Sequence, residues 1–171
     1  TGWISGATGV GYERGAGYET LLGSNVDAPM RSNHSVNIRI EFEAADPAAF
    51  DRLELRMKFD DGFVAFLNGA VLASANAPTS PQWNSAATAQ HEANPAAFDI
   101  YDVTDKKGNL RVGRNILAIQ GLNHSSDTVD MLIMPELHGG TLGPSILRQP
   151  VIHFGAIEAS PASGNQDEEF I

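Results

Sequence analysis

No cysteine occurs anywhere in the chain. That excludes disulfide bridges, zinc–thiolate centres and cysteine nucleophiles, but it fixes no compartment, because many exported bacterial domains also lack cysteine. Lysine is scarce too, and all basic residues together number 11 against 21 acidic ones. The net charge of −10 repels phosphate backbones and anionic lipid head groups, so neither nucleic acid nor a lipid surface is an expected partner. No apolar run approaches the ~20 residues that a membrane-spanning helix needs, and no membrane insertion is expected. His34, His91, His124, His138 and His153 show none of the HxH, HExxH or HxxxH spacings of zinc and iron sites. No Gly-x-Ser-x-Gly elbow is present, and "GVGYERG" (9–15) has no strand–helix unit around it to make it a dinucleotide loop. Lacking these motifs, the chain is not expected to be an enzyme.

What is present is a globular composition, 42% hydrophobic over 171 residues, enough for one domain with a real core. In "VNIRIEFE" the apolar Val36, Ile38, Ile40 and Phe42 alternate with polar residues, and in "LELRMKF" Leu53, Leu55, Met57 and Phe59 do the same. A period of two predicts half-buried strands. "ADPAAFDR" between them predicts one helical turn capped by Asp46. "FVAFL" and "AVLAS" flank Asn68-Gly69, the strongest short hairpin signal a sequence offers. "FDIYDVTD", "ILAIQGLN" and "VDMLIMPEL" complete at least six strands with little helix, which predicts an all-β, antiparallel β-sandwich over roughly residues 1–140. Ile38, Ile40, Phe42, Leu55, Met57, Phe66, Leu67, Leu117 and Ile119 are its expected core. The Gly/Pro-rich "HGGTLGPSILRQP" (138–150) reads as a link, so residues 141–171 are expected to be a linker and the truncated start of another domain. The opening "TGWISG" carries neither an initiator methionine nor a signal peptide, and is expected to belong to a longer chain.

Two features carry candidate chemistry. Asp60 and Asp61 stand side by side before Gly62, where they either cap a turn, with Gly62 at positive φ, or hold a cation. Asn76 to Asn94 is a long polar loop, and loops of this length in compact domains are more often functional than accidental. It carries Trp83 between Gln82 and Asn84: an aromatic face for stacking a sugar ring, or a plug for the end of the sandwich. Tyr12 and Tyr18 lie among glycines, in a setting that suits a binding loop, whereas Trp3 is expected to pack as framework.

Taken in order, Trp3, "GATGVGYE" (6–13), "VNIRIEF" (36–42), "DDGFVAFLNG" (60–69), "NILAIQGLN" (115–123) and "MPEL" (134–137) resemble a jelly-roll module of the galactose-binding-like type found in large secreted bacterial proteins. The tail "IEASPASGNQDEEFI" is similar to the opening of a lamin-tail-like domain. The Asp-Asp-Gly element is also similar to the strand entry of PA14-type lectin domains, in which neighbouring aspartates bind calcium and calcium binds sugar hydroxyls. That resemblance implies Asp60 and Asp61 as calcium ligands, with Asp127 and Asn123 of "GLNHSSD" supplying a second ligand loop. The implied function is a non-catalytic, calcium-assisted carbohydrate-binding module of a secreted or cell-surface bacterial protein. Its partners would be a polysaccharide, held by Trp83, Asn84, Tyr12, Tyr18, Asn123 and His124, and neighbouring domains of the same chain. The alternative is a structural spacer or assembly domain.

Overall fold

The computed structural model describes residues 3–141 and 157–161. Eleven strands occur among them: β1 (Ile4–Gly6), β2 (Val10–Glu13), β3 (Ser24–Asn25), β4 (Ser35–Ala44), β5 (Arg52–Asp60), β6 (Gly62–Leu67), β7 (Ala70–Ala75), β8 (Asp99–Asp102), β9 (Gly113–Leu122), β10 (Asp130–Gly140) and β11 (Ile157–Pro161). One sheet has the order β1-β11-β4-β9-β6-β7, and the other β3-β2-β10-β5-β8. All pairings are antiparallel except β2 with β3. The expected β-sandwich is therefore the fold.

The alternation in β4 and β5 does what a period of two requires. Val36, Ile38, Ile40 and Phe42 of β4 and Leu53, Leu55, Met57 and Phe59 of β5 fill a common core with Leu117 and Ile119 of β9 and Ile133 of β10. Phe66 departs from expectation. Its neighbour Leu67 is fully buried in that core, and adjacent strand residues point to opposite faces, so Phe66 turns outward against the small cluster of Val64, Ala87 and Leu122. A 3-10 turn does span Pro47–Ala49, but Asp46 makes no side-chain cap bond to it.

The boundary expected near residue 140 needs correction. β11 sits between β1 and β4, with Ile157 opposite Ile40 and Ala159 opposite Ile38, and both Ile157 and Ala159 are buried in the main core. Residues 157–161 are thus part of the sandwich, and the link expected to begin at His138 is still β10 as far as Gly140. The remainder of the linker and lamin-tail reading, 142–156 and 162–171, lies outside the described residues. Among the described residues no helix is long and apolar enough to cross a membrane.

The Asn68-Gly69 hairpin is as expected, with φ of 50° and 87°. Asn68 is also a fastener: its side-chain amide donates to the Asn109 carbonyl and to Asn115 Oδ1, and its Oδ1 accepts the Ile116 amide. Asn68→Ala strands these partners and places a Cβ-only residue in the left-handed region, so a loss of about 2–4 kcal/mol is expected in urea denaturation. A change below about 0.5 kcal/mol would show that the side-chain bonds contribute little.

Candidate functional site

Asp60 ends β5 in one sheet and Gly62 begins β6 in the other, so the Asp60-Asp61 step is where the chain crosses between sheets. The peptide bond joining them is cis. The segment 123–129 makes a second crossing beside it, from β9 to β10. Gly62 is not at positive φ. It is glycine because its backbone passes the Ala75 and Asn76 carbonyls, where a Cβ would come within 2.9 and 3.0 Å. The long loop between β7 and β8 starts on the outer face of the first sheet, passes this crossing, and ends on the second sheet.

The two aspartates have different employment. Asp61, 4% exposed, has both carboxylate oxygens engaged: Oδ1 accepts the His91 amide at 2.9 Å and Oδ2 the His124 amide at 2.7 Å. Both oxygens thus bind backbone amides of the two neighbouring segments, and Asp61, expected as a cation ligand, is not in the carboxylate group that has metal-ligand spacing. Asp60, 2% exposed, follows the outward phase of β5 and faces the second sheet's outer side, where the Tyr18 hydroxyl donates to its Oδ2 at 2.8 Å. The same hydroxyl accepts the Ala93 amide at 3.0 Å and lies 3.2 Å from Glu92 Oε2.

Around Asp60 the carboxylates gather. One oxygen each from Asp60, Glu92 and Asp130 lies within 4.8 Å of the others, the described grouping with the spacing a metal ion needs. Two oxygens bound to one calcium are at most about twice the 2.3–2.6 Å calcium–oxygen distance apart, so this set fits. Burial raises the Asp60 carboxyl to about 8, and the Asp61, Asp130 and Glu92 charges add to the rise against the opposing Tyr18 hydrogen bond. Asp130 is raised as well, by burial first and then by Glu92, Glu13 and Asp61. Mutual repulsion of this kind is what a bound cation relieves.

Asp127, the other expected ligand, is not in the group. It is exposed, its amide donates to Ser125 Oγ, and its charge acts on Arg14. The residue that belongs is Asp130, three positions on, at the start of β10. Its signal was its outward phase beside Leu132 in "VDMLIMPEL", and β10 pairs Leu132 with Asp60. Glu92 lay in the long loop without a pattern to distinguish it.

Of the expected sugar contacts, Tyr12 and Asn123 are fully buried and offer no face to a ligand. Asn123 Nδ2 donates to Tyr12 OH and to Thr128 Oγ1, a framework for the 123–129 crossing. Tyr18, 3% exposed, works through its hydroxyl at Asp60 and not as a stacking surface. Asn84 spends its Oδ1 on the amides of His34 and Ser35. His124 is exposed, with its amide on Asp61. Trp83 is 43% exposed, so it does not plug the sandwich. Its neighbours are pinned: Gln120 Nε2 donates to the Gln82 and Trp83 carbonyls, and Ser35 Oγ donates to the Ser85 carbonyl. The result is an exposed indole on a held loop. Trp3, expected as framework, lies over the Arg39 guanidinium on the outer face of the first sheet.

No protein-family model matches the chain, and no curated protein matches it. Among solved structures, the α-L-rhamnosidase from Aspergillus terreus is 16% identical with a TM-score of 0.47, over 75% of this chain and 15% of that one. The Streptomyces avermitilis α-L-rhamnosidase complexed with L-rhamnose is also 16% identical, TM-score 0.46, over 81% of this chain and 12% of that one. The PA14 domain of the MpAFP antifreeze protein is 11% identical, TM-score 0.41, over 95% of this chain and 77% of that one. The chain thus spans well under a fifth of the rhamnosidases it matches, and likeness at this level assigns no function.

Proposed function

We propose that the domain is a non-catalytic, calcium-assisted glycan-binding module. The observation that carries the reading is the convergence of Asp60, Glu92 and Asp130 within 4.8 Å around a carboxyl that burial and like charge hold at about 8. Calcium takes six to eight hard oxygens, and three carboxylates leave positions for water and for ligand hydroxyls. Trp83, held on the outer face of the first sheet through Gln120 and Ser35, supplies a separate element, an indole face for the C–H side of another ring of an extended glycan. The resemblance of the Asp-Asp-Gly element to PA14-type lectin domains supports the same reading, with the ligand set moved from Asp61 and Asp127 to Glu92 and Asp130.

A cage with three carboxylates suits the weak calcium affinities of extracellular modules, about 10⁻⁴–10⁻³ M. That supports placement in a secreted or cell-surface protein, where neighbouring domains of the same chain would bring the glycan to its place of use. Affinity electrophoresis against a panel of plant and marine polysaccharides, in calcium and in chelator, tests the proposal. The expected result is calcium-dependent retardation by at least one polysaccharide, lost in Asp60→Asn and weakened about tenfold in Trp83→Ala, since one stacked ring contributes on the order of 1–1.5 kcal/mol. Uniform mobility across the panel would refute it and favour a spacer.

A further inference from the structure

Asp61 touches the long loop at both of its ends. Asn76, the first residue after β7, donates its side-chain amide to the Asp61 carbonyl at 2.9 Å. His91, fifteen residues later, donates its backbone amide to the Asp61 carboxylate at 2.9 Å. Between these points the Thr88 amide returns to the Asn76 carbonyl, and the Ala87 amide to Asn123 of the neighbouring crossing, whose His124 amide also ends on Asp61. The His91 ring is held from the other side of Asp60, stacked on Phe59 at 4.1 Å and with Nδ1 3.0 Å from the Phe59 carbonyl. Residues 76–91 are in this way closed into a loop on one buried residue, through its backbone carbonyl at Asn76 and its carboxylate at His91, with Trp83 near the middle.

We propose that Asp61 is the clasp of this loop: a positioning residue that presents Trp83 to the ligand, acting without touching ligand or cation. A carboxylate suits the task because its two oxygens accept from two segments at once, and charge-assisted bonds to backbone amides are about twice as strong as neutral ones. An asparagine has one accepting oxygen, and its amide nitrogen would face a donor. The geometry explains why this aspartate is buried and fully bonded while its neighbour is left with other carboxylates. The binding consequence rests on the glycan reading above; the clasp itself does not.

The test uses the full chain in chelator, where a metal-ligand role has nothing to act on. Hydrogen exchange is followed at the His91 and His124 amides, and acrylamide quenching of Trp83 in a Trp3→Phe background. Asp61→Asn is expected to speed exchange at one or both amides by about 10- to 100-fold, as loss of a hydrogen bond to a charged acceptor implies. Trp83 quenching should rise, while amides of β4 and β9 keep their protection. Asn76→Gly, which removes the bond to the Asp61 backbone carbonyl and suits the positive φ at that position, tests the other end of the loop through Trp83 quenching should Asp61→Asn fail to fold. In calcium, both variants should bind any retained polysaccharide more weakly than the parent. Unchanged exchange and quenching in chelator would overturn the proposal, and a binding loss in calcium alongside them would make Asp61 a ligand. If the parent binds no polysaccharide, the glycan reading fails, and exchange and quenching still decide the clasp.

Discussion

Replacing Ile40 with aspartate is expected to leave the protein unfolded at 25 °C. Ile40 is fully buried at the middle of β4, opposite Leu117 on one side and Ile157 on the other. Its side chain points into the core between the sheets, where the described neighbours are apolar. A carboxylate there must either be desolvated, at a cost of several kcal/mol, or stay protonated and still leave a polar group among aliphatic side chains. Against a typical total stability of ~5–15 kcal/mol, that loss combined with the lost apolar burial exceeds what most domains tolerate. Glu43→Asp on the same strand, at an exposed position of the opposite phase, should change stability by less than about 0.5 kcal/mol. Far-ultraviolet circular dichroism and a urea titration of the two variants check the pair. A folded Ile40→Asp protein with parental melting would overturn the strand phase on which the fold is built.

The second large effect concerns Asp60 and pH. Its folded value of about 8 stands above the ordinary 3.8, so its contribution to stability is fully present below about pH 4 and is lost as pH rises toward 8. The raised Asp130 acts in the same direction. The carboxylates held low, Glu19, Asp27, Glu41 and Asp102, act oppositely, losing their contribution only as pH falls through their depressed values, outside the window between pH 5 and 8. Asp27, Glu41 and Asp102 owe the shift first to side-chain hydrogen bonds and Glu19 to a backbone one, and all but the half-buried Asp27 are exposed to solvent, which limits what they contribute. In chelator the melting temperature should therefore fall from pH 5 to pH 8. Asp60→Asn, neutral at every pH, should remove most of that slope and melt higher than the parent at pH 8. Calcium should reverse the order for the parent alone, because it binds the ionised form. At 10 mM calcium and a dissociation constant of 10⁻⁴–10⁻³ M, mass action gives about 1.4–2.7 kcal/mol, roughly 3–10 °C for a chain of this size. A flat profile in chelator for parent and variant alike would remove the electrostatic basis of the site.

Much of the fold is legible in the sequence for a physical reason. Strands buried on one face alternate, so β4 and β5 state their own phase, and Asn68-Gly69 states its turn. β11 does not, because "IEASP" is short, lies in a segment rich in glycine and proline, and becomes a strand only by fitting between β1 and β4. The site divides along the same line. Asp60 is marked by its position at a strand end, and Trp83 by being an aromatic residue in a long polar loop. Glu92 and Asp130 join Asp60 only through pairings made across tens of residues. Tyr12 was legible in principle, since Val10 and Tyr12 share a phase that faces the core, but the surrounding glycines masked the alternation.

The central claim is that Asp60, Glu92 and Asp130 together hold a divalent cation. Titration calorimetry of calcium into the chelator-treated full chain, repeated with Asp60→Asn and Asp127→Asn, tests it most directly. One site per chain in the parent and in Asp127→Asn, abolished in Asp60→Asn, is the predicted result. No heat above dilution in the parent, or binding that survives Asp60→Asn and disappears with Asp127→Asn, would contradict it.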